Sequence, residues 1–154
     1  MNKRFIVLID FSEYSSNLIK YACDWSHEAN AKILLLHQTH PFLPAFAENE
    51  AREHIVQQDN DKAREKLKTL AEALIPNTIE VAYYVSEIDY HQTLPELLAE
   101  PFENLVFIGL KGTGILKKLF LGSVALRIIG NTENTVVAMP KGIDSFSHEK
   151  IFVA

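Results

Sequence analysis

A chain of 154 residues that is 47% apolar and 10% aromatic can fill one well-buried core, which argues against a disordered chain and makes a single globular domain the expectation. The formal net charge of -5, with no Lys/Arg block, speaks against nucleic acid as a partner, and no apolar run approaches the length of a membrane span. The single cysteine, Cys23, permits no internal disulfide, and the apolar stretch inside "MNKRFIVLIDFSEYS" is too short for a signal peptide and is broken by Asp10, so a cytoplasmic protein is expected.

In chain order, "RFIVLI" (4–9) is a continuous apolar run with β-branched members, the pattern of a strand covered on both faces. "DFSEYS" follows with turn and capping residues, and from Ser15 to Ala29 the apolar set Leu18, Ile19, Ala22, Cys23 and Trp25 recurs at helical spacing. "AKILLLHQ" (31–38) reads as a second buried strand, "THPFLPAF" as a two-proline loop, and residues 47–75 as a long, largely solvated helix. "TIEVAYYV" (78–85) alternates as a third strand. "TLPELLAE" (93–100) is expected to be a short helix with Pro95 in its first turn. "NLVFIG" (104–109) is again a buried strand, "SVALRIIG" (123–130) a helix ending on Gly130, and "NTVVAMP" (134–140) a closing strand. Five strands with helices between them imply right-handed crossovers and an open, doubly wound parallel sheet, which binds ligands beyond the carboxyl ends of its strands where the winding reverses.

Four of the six glycines fall within "GLKGTGILKKLFLGS" (109–123), just past the fourth strand. Gly109 and Gly114 have the separation of a P-loop, but Ile115 stands where Lys is needed. A dinucleotide fingerprint belongs after the first strand and needs a third glycine where Lys117 stands, so that pattern fails as well. What remains is Gly109-x2-Gly112-x9-Gly122-Ser123, whose second half sets Gly-Ser at the start of a helix. Amides at a helix N-terminus lack intrahelical partners and face the positive end of the dipole, so a phosphate there gains several hydrogen bonds. The plainer alternative is that Gly109 and Gly112 serve a turn and Ser123 caps the helix.

On "FIVLIDFSEYSSNLIKYA", "AKILLLHQ" and above all "GLKGTGILKKLFLGSVALRII", the chain resembles the universal stress proteins along nearly its whole length. In that family the G-x2-G-x9-G-S/T pattern marks members that bind ATP. The resemblance implies an adenine-nucleotide alpha-hydrolase-like fold with sheet order 3-2-1-4-5. It places Ile9, Asp10 and Gln38 near adenine and ribose, and Gly109, Gly112, Gly122, Ser123 and Val124 around the phosphates of ATP; from the complete spacing at the Gly109–Ser123 loop, ATP is expected to bind with Mg²⁺. The sequence departs from the family pattern at Phe11, where a glycine is common, at Gln38, where an apolar residue often stands, and in "SEIDYHQTLPELL", which lacks a glycine before the third helix.

His37 and His40 have an H-x-x-H spacing, but residues three apart on a strand face opposite sides and no Cys or acidic partner stands near, so no metal site is expected. Lys111, Lys117 and Lys118 read as solvated, with a contact from one of them to the terminal phosphate as the alternative, and Cys23 reads as core packing. The sequence offers no convincing nucleophile and base pair, so the leading expectation is a regulatory stress-response module with little or no ATP turnover. A slow ATP-cleaving or adenylyl-transfer enzyme and a nucleotide-independent interaction module are the alternatives. The strand at 134–139 is expected to be an apolar edge that pairs across a twofold, as a homodimer or a tandem pseudo-dimer. Residues 1–141 read as the domain, and 142–154 as a linker and, through Ile151, Phe152 and Val153, the start of a second one or an ordinary tail.

Overall fold

The structure, a computed structural model, describes residues 2–110 and 123–140, with Ser123 and Val124 described by their backbone alone. Strands and helices alternate along it: β1 (Lys3–Leu8), α1 (Ser15–Ala29), β2 (Lys32–Gln38), α2 (Asn49–Leu74), β3 (Val81–Ser86), α3 (Tyr90–Leu98), β4 (Glu103–Leu110), α4 (Ser123–Asn131) and β5 (Val136–Pro140). The strands form one sheet in the order β3-β2-β1-β4-β5, every neighbouring pair parallel. This is the doubly wound architecture and strand order expected above, with the reversal of winding between β1 and β4.

Successive strand residues point to opposite faces, and the two faces carry separate cores. Phe5, Val7, Ile9, Ile33, Leu35 and Phe107 pack against Leu18, Ile19, Ala22 and Cys23 of α1 and Ala63, Leu67 and Ala71 of α2. On the other face Ile6, Leu34, Leu36, Val106 and Ile108 meet Leu94 and Leu97 of α3 and Ala125 and Ile128 of α4. The long α2 buries only Ala63, Leu67 and Ala71, one residue per helical turn, and its remaining surface is solvated as its composition predicts. Cys23 lies in the core; burial, and behind it the Asp24 carboxylate, push its thiol up to about 11, so it stays protonated at neutral pH.

At the amino edge of the sheet the buried Arg4 guanidinium donates from Nε to Asn104 Oδ1 (2.9 Å), from Nη1 to Glu100 and from Nη2 to the Leu97 carbonyl. Its guanidinium carbon also stands 4.3 Å from the centre of the Phe102 ring. This cluster ties the starts of β1 and β4 to the end of α3, so the framework is locked at the edge opposite the loops that carry the site.

Several boundaries differ from the sequence reading for local reasons. β3 starts at Val81 because residues 76–79 turn, with the Ile79 amide bonded to the Pro76 carbonyl. β5 starts at Val136 because the Thr132 hydroxyl accepts from the Asn134 amide in the preceding turn. α3 begins at Tyr90 rather than Thr93, because the Asp89 carboxylate caps it by accepting from the His91 amide at 2.8 Å, and Pro95 therefore lies in the second turn and not the first. α4 runs through Gly130 to Asn131, whose side-chain amide takes the Arg127 carbonyl. None of the helices among the described residues is long and apolar enough to cross a membrane. The proposed linker and second-domain start at 142–154 lie outside the described residues.

Candidate functional site

Parallel strands bring their carboxyl ends to the same edge of the sheet, so Asp10 just past β1, Gln38 at the end of β2 and Gly109 in the last two residues of β4 share that edge, with β1 in the middle. The Asp10 side chain is exposed there, and its Oδ1 accepts from the Ser12 amide (2.9 Å) and the Ser15 hydroxyl (3.2 Å). An Asx-type turn of this kind fixes the loop into α1, whose N-cap residue Tyr14 makes no side-chain cap bond of its own. Asp10 thus has a structural duty at the position where a ligand role is expected.

Phe11 follows with a φ of 55°, one of two non-glycine residues in the left-handed region among those described; the other is the helix-ending Asn30. A side chain there costs about 1–2 kcal/mol, which is the physical reason a glycine suits the position. The Phe11 ring recovers contact by packing on His37, centroids 4.4 Å apart, with Lys66 Nζ of α2 standing 5.0 Å from its centre. His37 Nδ1 donates to the Ile9 carbonyl at 2.7 Å, because a carbonyl can only accept. Burial lowers the His37 pKa against the opposing pull of that bond, so the ring is neutral at physiological pH with its proton on Nδ1.

The β1–β2 ladder ends in an unusual way. Ile9 donates to the Leu36 carbonyl (2.9 Å), and the regular parallel pattern would continue with the Gln38 amide bonding the Ile9 carbonyl. Instead His37 Nδ1 takes the carbonyl, and the Gln38 amide donates to the Tyr90 hydroxyl of α3 at 3.1 Å. Two side chains therefore satisfy the two halves of the missing rung. The neighbouring Thr39 is held from the far side: its hydroxyl donates to Asn60 Oδ1 (2.6 Å), and Asn60 Nδ2 donates to Glu87 beyond β3.

Gly109 lies inside β4, paired with Met139 of β5, and not in a turn as the plainer reading of the sequence had it. It is exposed, and a Cβ placed on it would meet nothing within 4 Å among the described residues. Ser123 and Val124 are the first described residues of α4, and Gly122 before them lies outside the described residues. Gly112 lies outside them too, as do Lys111, Lys117 and Lys118. Sequence reasoning missed Tyr90 and the structural use of His37. The capping signal of Asp89 was available in "EIDYHQ", whereas nothing local announces a bond between residues 52 positions apart.

A family model described as "Universal stress protein family" matches residues 1–140. No curated protein sequence matches the chain significantly. Among solved structures, the hypothetical protein MJ0577 is similar with a TM-score of 0.66 at 20% identity, covering 92% of this chain and 97% of that one. A universal stress protein in complex with cAMP gives a TM-score of 0.59 at 18% identity, over 89% and 96% of the two chains. One from Archaeoglobus fulgidus in complex with dAMP gives 0.51 at 12% identity, over 88% and 96%. At these identities the structural likeness speaks for the fold.

Proposed function

The chain belongs to the universal stress protein family, and from that premise we propose that it is an ATP-binding regulatory module whose nucleotide lies along the carboxyl edge of β1, β2 and β4. The observation that carries this reading is the Gly109-x2-Gly112-x9-Gly122-Ser123 spacing, which begins at an exposed glycine near the end of β4 and runs to Ser123, the first described residue of α4. In this reading Gly109, Gly112, Gly122, Ser123 and Val124 bind the phosphates, with Mg²⁺ offsetting their charge, at a helix terminus that favours anions. Ile9, Asp10 and Gln38 face the ribose and base. Adenine nucleotides bound to two structurally similar proteins support the ligand class.

Regulation with little or no turnover fits the groups at hand. Cys23 is a buried, protonated thiol, and the Nδ1 proton of His37 is committed to the Ile9 carbonyl. A cytoplasmic location belongs to the same reading. ATP with Mg²⁺ at about 100 times its Kd should stabilise the fold by about 2.7 kcal/mol, a rise in Tm of about 5–10 °C for a chain of this size. Thermal unfolding with and without the nucleotide checks this, and an unchanged Tm in millimolar excess would count against the proposal.

Among the described residues β5 is an edge of the sheet, with Val136, Val137 and Ala138 only partly buried. An apolar edge with unpaired backbone invites another strand, so we extend the reading to a homodimer, or a tandem pseudo-dimer, joined through residues 134–139. Sedimentation of the wild type should reveal a dimer, and Val137→Lys should shift it to monomer with an unchanged circular dichroism spectrum. A wild type that stays monomeric at high concentration contradicts this pairing.

A further inference from the structure

Tyr90 is the first residue of α3, yet its hydroxyl lies at the end of β2, where the Gln38 amide donates to it. Burial, with the Asp10 and Asp89 carboxylates adding to it, outweighs the Gln38 bond and pushes the phenol up to about 12, so the group is neutral across the physiological range. Its aromatic body packs against the core on the α3 and α4 face of the sheet. The side chain therefore spans from that core to the carboxyl edge, where its hydroxyl meets the Gln38 amide.

An aromatic base is recognised at a strand end by edge hydrogen bonds, in which a backbone N–H is the donor a ring nitrogen needs. At the end of β2 that donor is the Gln38 amide, left over from the missing rung of the β1–β2 ladder. Resting on the nucleotide reading above, we infer that Tyr90 is a specificity-determining residue: its hydroxyl takes the Gln38 amide in place of the base, so base binding requires Tyr90 to be displaced while phosphate binding does not.

Displacement is a cost charged to the base alone. The apparent affinity for a nucleotide falls by the fraction of molecules in which the amide is available, whereas an anion that engages only the phosphate end feels no such penalty. Neither Phe11 nor His37 plays this part. Phe11 packs on His37, and His37 is tied to the Ile9 carbonyl, which accepts and cannot offer the base a donor.

Calorimetric titration of the full chain with ATP and, separately, with inorganic triphosphate, both with Mg²⁺, tests the inference. Tyr90→Ala should bind ATP about tenfold tighter than wild type, the effect of removing one competing hydrogen bond, and should bind triphosphate within about twofold of it. Tyr90→Phe keeps the ring and the packing, so it guards against loss of the fold in the alanine variant; it should also tighten ATP, by a smaller factor. ATP binding that is unchanged or weaker in both variants, with triphosphate still bound, would overturn the role given to Tyr90 and leave the phosphate site standing. Failure of every form to bind either ligand would overturn the nucleotide reading and this inference with it.

Discussion

Phe107→Ala is expected to cost about 3–5 kcal/mol of folding stability, the range for truncating a fully buried aromatic residue to alanine. Phe107 is completely buried near the middle of β4, one of the two strands that flank the reversal in winding. Its ring meets Phe5 at 5.1 Å, Trp25 at 5.6 Å and Tyr21 at 6.2 Å between centroids, so one truncation opens a cavity and removes three ring contacts at once. Against a total stability of about 5–15 kcal/mol for a domain, that loss leaves the chain marginal or unfolded. Urea unfolding followed by Trp25 fluorescence measures it directly, since Trp25 reports from inside the cluster. A loss below about 1 kcal/mol would mean that the ring cluster is not the heart of this face of the sheet.

Much of this framework was legible because buried strands announce themselves. "RFIVLI", "AKILLLHQ" and "NLVFIG" are apolar without alternation, as strands covered on both faces must be, and α1 is bounded at Ser15 and Ala29 as its helical spacing indicates. Boundaries slipped where a side chain and not a periodicity decides them: the Asp89 cap that starts α3 early, the Thr132 hydroxyl that delays β5 and the Asn131 amide that carries α4 past Gly130.

The same division holds at the site. Asp10, Gln38 and Gly109 could be placed on one edge because each follows an apolar run, and a parallel sheet gathers all such ends together. Illegible were the left-handed backbone of Phe11 and the reach of Tyr90 to Gln38. Phe11 breaks the local preference for glycine, and only its contact with His37 shows what compensates. Tyr90 meets Gln38 through the tertiary fold, which leaves no trace in spacing or composition.

Gly122→Val should weaken ATP binding by about tenfold or more, the loss of one or two charge-assisted hydrogen bonds at the phosphates. Gly122 immediately precedes Ser123, the first described residue of α4, and occupies the position of the spacing at which, in the reading above, a phosphate is to approach helix amides. A branched side chain there puts methyl groups where the anion must come close, while the two cores and the Arg4 cluster at the opposite edge are built from other residues. The effect should therefore appear in binding and not in the circular dichroism spectrum. It should extend to inorganic triphosphate, in contrast to substitutions at Tyr90.

The most direct test of nucleotide binding at this loop is a calorimetric titration of ATP with Mg²⁺ into wild type and Gly122→Val under identical conditions. Saturable heat with the wild type, and binding at least about tenfold weaker in the folded variant, is the result predicted by a phosphate seated at the start of α4. No saturable heat with the wild type, or equal affinity in the two proteins, would contradict it.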